Sequence, residues 1–435
     1  MTAPGNSPRT PTWLRMAVVD ITPLRRHRDF RLLFIGRMVS FFGSMITTVA
    51  FPYQVYLQTH SLLLVGLLGV LEFVAILLLA MLGGALADAT DRRSIVLLSE
   101  AALMGCSLIL AGNAALPNPQ VWVLFGIATV MGGADAVQRP SLDAMIPRLV
   151  DRDELPAAAA LRSLWSTLGM ILGPAAGGLL LAAIGLPLTY MVDVATFVVG
   201  LACLWLMRAV PPPVDAERPS FRRVVEGLRY ARSRPELIGT YAVDMIAMFF
   251  GMPMALFPAI AEGLGGPGVL GLLYAAPAVG SFTFSATSGW TKRVHRHGMG
   301  VIVAAVIWGV AIIGFGFAPG LIAALACLAV AGAADMMSGL FRSVIWNQTI
   351  PDSLRGRLAS IEMLSYTSGP ALGNFEAGLV ASLLSVRVSI VSGGVLCVIG
   401  CVLCALALPA FRDYDAQRYH VAPDPDSGSV KRQEG

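Results

Sequence analysis

The chain has 435 residues, 56% of them hydrophobic and only 13% charged, with a formal net charge of +4 and a mean hydropathy of +0.71. That balance excludes a water-soluble globular protein and points to an all-α polytopic membrane protein. The only lysines, Lys292 and Lys431, follow no Gly-x-x-x-x-Gly turn, so no ATPase is expected, and no basic tract is interleaved with aromatics, so no nucleic-acid partner is expected either.

Residues 1–31 read as a polar, Pro-rich cytoplasmic tail that ends in a basic segment, Leu24 to Arg31, suited to a short interfacial helix. The first apolar run, 32–54, is a retained span. Eleven more runs follow, at 62–86, 94–114, 120–147, 157–184 and 187–208, then 237–260, 268–290, 299–317, 321–350, 358–383 and 387–408. Each is close to the ~20 residues that cross a bilayer as a helix.

The hinge between the second and third runs, Gly83 to Ser94, packs Asp88, Asp91, Arg92 and Arg93 against two spans. Every multi-span protein needs a basic turn of this kind. The sharper reading is a gate latch: Gly84 lets backbones approach, Asp88 binds a donor near a helix terminus, and Arg92 and Arg93 reach lipid phosphate or a neighbouring helix.

Orientation follows from the arginines. Loops after the odd-numbered runs lack Lys and Arg apart from Arg387, whereas the opposite loops carry Arg92, Arg93, Arg148, Arg152, Arg222, Arg223, Lys292, Arg293, Arg355 and Arg357. By the positive-inside rule both termini are cytoplasmic, which an even number of spans satisfies. Residues 209–236 interrupt the chain with Pro211-Pro212-Pro213 and then place Phe221, Val224, Val225 and Leu228 at helical spacing. This reads as a cytoplasmic linker with an amphipathic helix between halves 32–208 and 237–408, followed by a cytoplasmic tail, 409–435.

The halves echo each other. Met131-Gly132-Gly133-Ala134-Asp135 returns as Ala331-Gly332-Ala333-Ala334-Asp335, Gly173-Pro174-Ala175-Ala176-Gly177 returns as Gly369-Pro370-Ala371-Leu372-Gly373, and the hinge returns weakly at Gly289 to Arg296 without its acid. Echoes in the same order argue for a duplicated transporter architecture: twelve transmembrane helices in two pseudo-symmetric six-helix halves.

Charges inside spans are costly, so each is a candidate for function. Asp135, Arg139 and Asp143 share a face of the fourth run at i, i+4, i+8, and Asp335 and Arg342 share one in the tenth. These read either as structural clasps or as gates that open with the cavity. Glu72 lies mid-span in the second run with no basic residue in that span, so it can either exchange a proton with a cavity or simply pack as a neutral acid. Asp244 and Glu362 are weaker candidates because they lie near cytoplasmic ends, and snorkelling is the default for Arg37 and Arg162. Gly173, Pro174, Gly177 and Gly178 permit close packing and a kink, hence a helix pivot. Cys401 and Cys404 lie in apolar surroundings and read as packing residues, not a metal or redox site. Phe249, Phe250, Met252, Met254, Tyr274, Phe282 and Phe284 suit either an apolar cavity lining or lipid.

The hinge motif, with Gly84, Asp88, Arg92 and Arg93 in place, resembles the signature loop of the major facilitator superfamily, although Ala89 and Asp91 stand where a basic residue and a glycine are usual. Within it, Arg28-Asp29-Phe30-Arg31, the Gly132 to Pro147 stretch and Leu149 to Leu161 resemble the branch of enterobactin exporters and macrolide efflux proteins. The Gly173 to Gly178 element resembles the Gly-Pro-x-x-Gly-Gly of exporters that exchange substrate for protons. The resemblance implies a major facilitator fold and a monomeric, multi-pass, proton-coupled exporter of an amphipathic, drug- or siderophore-like molecule in the bacterial inner membrane. No cofactor, metal or catalytic residue is expected, and the partners are the small-molecule substrate, protons and lipid. An importer or uniporter of a small metabolite, or a non-transporting scaffold or sensor, is the alternative.

Overall fold

The computed structural model describes residues 20–89, 91–210 and 229–416. Both tails beyond those limits, most of the expected linker helix and the side chain of Asp88 lie outside the described residues. Among them the chain is helical throughout, with no strand. The first half comprises α1 (Arg28–Thr59), α2 (Leu62–Ala89), α3 (Arg92–Ala115), α4 (Val121–Leu149) and α5 (Leu155–Trp205). The second comprises α6 (Pro235–Phe250), α7 (Phe257–Leu264), α8 (Pro267–Thr287), α9 (His297–Gly316), α10 (Leu321–Thr349), α11 (Asp352–Leu383) and α12 (Val386–Ala407).

Length and apolarity alone give ten membrane-crossing helices among the described residues. Two further features bear on the expected twelve. α5 runs 51 residues but is interrupted at Gly185, whose φ of 75° is a left-handed conformation that glycine adopts without a Cβ penalty. Pro187 then restarts the helix, and the Thr189 hydroxyl donates to the Gly185 carbonyl at 2.7 Å. The 32-residue α11 is a further long helix beyond those ten.

The seventh span is broken. α6 stops at Gly251 and α7 resumes after a 3-10 turn at Met254–Leu256. Irregular backbone survives at membrane depth only where its polar groups are satisfied. Here the Trp308 indole donates to the Gly251 carbonyl at 3.1 Å and the Ala255 N–H donates to Asn374 Oδ1 at 2.9 Å.

Packing repeats between the halves. α2 lies on α4 as α8 lies on α10, α1 lies along α5 as α6 lies along α11 and α12, and α3 meets α5 as α9 meets α12. The halves meet through α2 against α11 and α5 against α8. A Cβ at Gly178 would fall 2.7 Å from the Gly271 nitrogen, and one at Gly66 would fall 2.8 Å from the Phe375 Cα, so backbone meets backbone at these seams. Both seams lie toward the end of the bundle whose loops lack arginine. Side chains such as Leu98, Trp205 and Ile322, the last 85% exposed, point outward and suit lipid instead of water.

Candidate functional site: a cavity along the first helix

A cavity of about 400 Å³ runs between α1, α2 and α4 and is closed toward the arginine-poor end by Met254, Ala255, Tyr274 and Asn374 of the second half. A second space of about 400 Å³ continues toward the arginine-rich end between α1, α4 and α5, and the two share Arg37, Phe41, Asp135 and Gln138 as common wall.

α1 organises both. One face carries Arg37, Phe41, Ser44, Thr48 and Phe51 at helical spacing and lines the cavity. The adjacent face, about a quarter-turn round, carries Gly36, Ser40, Gly43 and Thr47, and its small side chains let α1 press onto the later part of α5, where a Cβ at Gly36 would fall 2.9 Å from that of Cys203. Pro174 does not break α5. Gly173 and Gly177 of the expected pivot pack on α1 and Gly178 on α8.

Two buried carboxylates that the sequence reading passed over sit behind this wall. Glu100 on α3 is fully buried and forms an ion pair with Arg37, and its Oε1 also accepts from Gln138 Nε2 at 3.1 Å. Arg37 therefore does not snorkel. An anchored carboxylate holds its guanidinium at the cavity wall. Asp193 in α5 is also fully buried and accepts from the hydroxyls of Thr47 at 2.6 Å and Ser107 at 2.7 Å. It ties α1, α3 and α5 with no cation among the described residues.

Glu72 and Asp135 face the same cavity. They are brought together because Gly132 packs on the backbone of Glu72, where any Cβ would collide. Glu72 has no hydrogen bond or ion pair among the described residues.

The pairings expected along α4 and α10 are replaced by pairings between helices. Asp143 pairs with Arg162 of α5 at 2.5 Å, not with Arg139. The Arg139 guanidinium lies over the ring of Tyr366 on α11, 5.3 Å from its centre, a contact from one half to the other. In the second half Arg342 pairs with Asp244 of α6, not with Asp335. Asp244 is only 6% exposed, so its expected access to water is corrected by this pairing. Asp335 borders a crevice with Asp244 against α9, while Glu362 shares a small pocket with Arg342, Trp346 and Tyr366. Of the aromatics and methionines expected at the cavity, Met254 and Tyr274 line it, whereas Phe282 is 49% exposed on the outer surface. The aromatic lining comes instead from Phe41 and Phe51 of α1.

The side chains of the signature hinge are described from Asp91 onward. Asp91 caps α3, accepting from the Arg93 N–H at 3.2 Å, and also accepts from the Val210 N–H at 2.8 Å. The departure from glycine thus provides a helix cap and a tie to the end of the sixth span. Arg92 donates to the Ala144 carbonyl at 3.0 Å, and Arg93 donates to the carbonyls of Leu204 and Trp205 at 2.7 and 2.6 Å. Arg93 thus satisfies terminal carbonyls of α5, favourable for the helix dipole, while Arg92 ties α3 to the last turns of α4.

Two halves that repeat one packing scheme, meeting at one end and holding a charged cavity between membrane-crossing helices, define a multi-pass membrane transporter of the major facilitator type rather than an enzyme. A family profile described as transmembrane secretion effector matches residues 19–435. The chain belongs to that family. It is 30% identical to the enterobactin exporter EntS of Shigella boydii serotype 4 (strain Sb227) over 406 residues, 93% of this chain and 96% of the relative. It is also 30% identical to EntS of Salmonella typhimurium (strain LT2) over 395 residues, 90% and 94% of the respective chains. Among solved structures, a bacterial homolog of the lysosomal transporter Spinster, inward-facing and unoccupied, superposes with a TM-score of 0.70 at 16% identity, covering 91% of this chain and 98% of that one.

Proposed function

We propose that the protein exports a small amphipathic molecule across the bacterial inner membrane by alternating access, in exchange for protons, with both termini in the cytoplasm. The observation that carries this reading is the cavity between α1, α2 and α4, sealed toward the arginine-poor end and holding Glu72 with no hydrogen bond or ion pair among the described residues. With arginine-rich loops on the cytoplasmic side, this is a state open inward, ready to take cargo from the cell. Export closes the cytoplasmic side and parts the α2–α11 and α5–α8 seams. The EntS relatives support an exporter of a siderophore-like cargo.

In this reading Glu72 is the proton-exchanging group, because a carboxyl in a membrane cavity that forms no ion pair among the described residues can trade a proton for cargo. Residues 32–208 and 237–408 act as the two moving halves, joined by 209–236, and the hinge at Asp88 to Arg93 latches the cytoplasmic side. The working unit is a monomer surrounded by lipid.

The test is efflux of a substrate panel from cells lacking or overproducing the protein, with and without a protonophore. Export that rises with expression and collapses with the protonophore is expected; cargo accumulation inside the cells would overturn the direction. In everted vesicles Glu72→Gln should abolish proton-driven export while the protein folds normally, and unchanged export would remove Glu72 from the mechanism.

A further inference from the structure

The chain does not leave the bundle at the end of α12. Residues 409–416, expected as the start of a tail, fold back over the arginine-rich ends of α6, α9 and α10. Leu408 closes α12 by donating its N–H to the Cys404 carbonyl at 3.0 Å, and Pro409 opens a short turn that ends at Arg412. Phe411 and Tyr414 are then both buried. Two glycines make this seat: a Cβ at Gly239 of α6 would collide with the Phe411 ring, and one at Gly298 of α9 would collide with the Phe411 carbonyl. Tyr414 donates its hydroxyl to Gln348 Oε1 of α10 at 2.9 Å, and the Ala416 N–H donates to the His295 carbonyl at 3.1 Å. One residue further along α10, the Thr349 carbonyl accepts from the Tyr230 hydroxyl at 2.7 Å. The segment that enters the second half and the segment that leaves it therefore hold the same turn of α10.

His297, the first residue of α9, lies next to Gly298 in this seat. Its ring is buried, 5.3 Å from that of the buried Phe341, and its Nδ1 has no hydrogen-bond partner among the described residues. A neutral imidazole tolerates this, because one of its nitrogens carries no proton, whereas an imidazolium is a donor at both and leaves one unsatisfied. The charges on the surrounding elements do not supply the missing acceptor. Asp415 of the strap favours a charge on the ring and His295 opposes one. Arg412 and Asp413 of the strap pair with each other at 2.8 Å, and Arg296 acts on Asp413. On α10 Arg342 is turned to Asp244, on α6 Glu236 lies 3.7 Å from Arg234, and α12 has its only charge, Arg387, at the opposite end.

We propose that residues 409–416 are a releasable strap on the second half, with His297 as its acid-sensitive catch: a neutral ring lets the strap seat, and a protonated ring lifts it. An exposed histidine titrates near about 6.5. The seated form resists protonation and the lifted form does not, so the strap holds at full strength above that pH and weakens as pH falls below it. With the arginine-rich end in the cytoplasm, the signal is cytoplasmic acidification. Lifting frees the ends of α6 and α10, the two helices joined by the Asp244–Arg342 pair. This goes beyond the exporter reading and involves neither cargo nor gradient.

The test is hydrogen–deuterium exchange of the full-length protein in lipid nanodiscs, read as protection of the 409–416 amides relative to the intrinsic rate at each pH. Between about pH 7.5 and about pH 5.5, the range in which histidine titrates, wild-type protection of the strap should fall about threefold or more while that of α12 stays constant. His297→Phe, which takes no proton and matches its apolar neighbour, should keep the strap protected at both pH values. Phe411→Ala should leave it unprotected at both. Wild-type protection that is unchanged or rises in acid, a fall shared equally by α12, a fall that persists in His297→Phe, or a strap still protected in Phe411→Ala would each overturn the inference. If thermal melting shows that His297→Phe does not fold, His297→Gln takes its place with the same expectation, and if neither folds the wild-type comparison of strap with α12 decides.

Discussion

The two halves share a frame and differ in chemistry at equivalent points of it. In the first half Gly132 packs on the backbone of Glu72, and in the second Gly332 packs on the backbone of Pro277. One crossing geometry therefore presents a carboxyl to the cavity on one side and a proline on the other. Each half also holds a buried ion pair between helices, with reversed polarity: Arg37 of the first span with Glu100 of the third, and Asp244 of the seventh with Arg342 of the tenth. Close backbone packing is retained across the duplication because lipid gives helices no hydrophobic reason to associate, so small residues must do it. Charge has no such constraint once a partner is present, and the cavity has formed mainly on one side.

The buried pairs give the strongest test of that contrast. Removing one partner leaves a largely buried charge unpaired, at a cost of about 3–5 kcal/mol. Glu100→Leu and Asp244→Leu should each lower the melting temperature in detergent steeply, or prevent folding. The neutral pairs Arg37→Met with Glu100→Leu, and Asp244→Leu with Arg342→Met, should recover most of the loss. If both double variants are stable but only the first fails in transport, the first half carries the chemistry; equal transport loss would make the halves functionally equivalent.

The crossing glycines come next in size. Gly132→Leu and Gly332→Leu force side chains into the backbone of a neighbouring helix, and overpacking of this kind costs about 1–3 kcal/mol. Comparable drops in thermal stability are expected from both, because the geometry is shared. A much smaller drop for Gly332→Leu would mean that the second half yields where the first does not.

The fold was legible because the bilayer demands long apolar runs, and the duplication was legible because its Gly-containing seams repeat. The chemistry behind the cavity was less so. Glu100 lies 63 residues from Arg37, and Asp193 lies 146 residues from Thr47, so no local pattern announces either partner. The available signal was simply a carboxyl within an apolar run, as in Ser99-Glu100-Ala101 and Val192-Asp193-Val194. Spacing along one helix also misled. Arg139 and Asp143 are one turn apart, yet each turns to a different helix, because in a bundle the groups that need pairing face inward toward neighbours. The cavity face of α1 was hidden for a related reason: when nearly all sides of a helix are apolar, periodicity does not say which side meets lipid.

The smallest expected effects lie at the arginine-rich end, where two contacts of similar strength differ in what they join. Arg162 and Asp143 are both about half exposed, at 46% and 48% of their side chains, and link two helices of the same half. Such a pair contributes about 0–1 kcal/mol. The contact of Arg139 with Tyr366 is worth about 0.5–1 kcal/mol by the same scale of exposed interactions, but it spans the halves. Its loss should therefore shift the balance between open and closed states and leave the fold unchanged. With a reporter at Ser44→Cys on the cavity face of α1, Tyr366→Leu should change the rate of alkylation by a water-soluble thiol reagent by about two- to fivefold, the Boltzmann equivalent of that energy. Arg162→Ala should leave the rate unchanged. Equal responses would mean that the bridge between halves has no control over access, and that the closure of the arginine-rich end depends on the hinge at Asp91 to Arg93 instead.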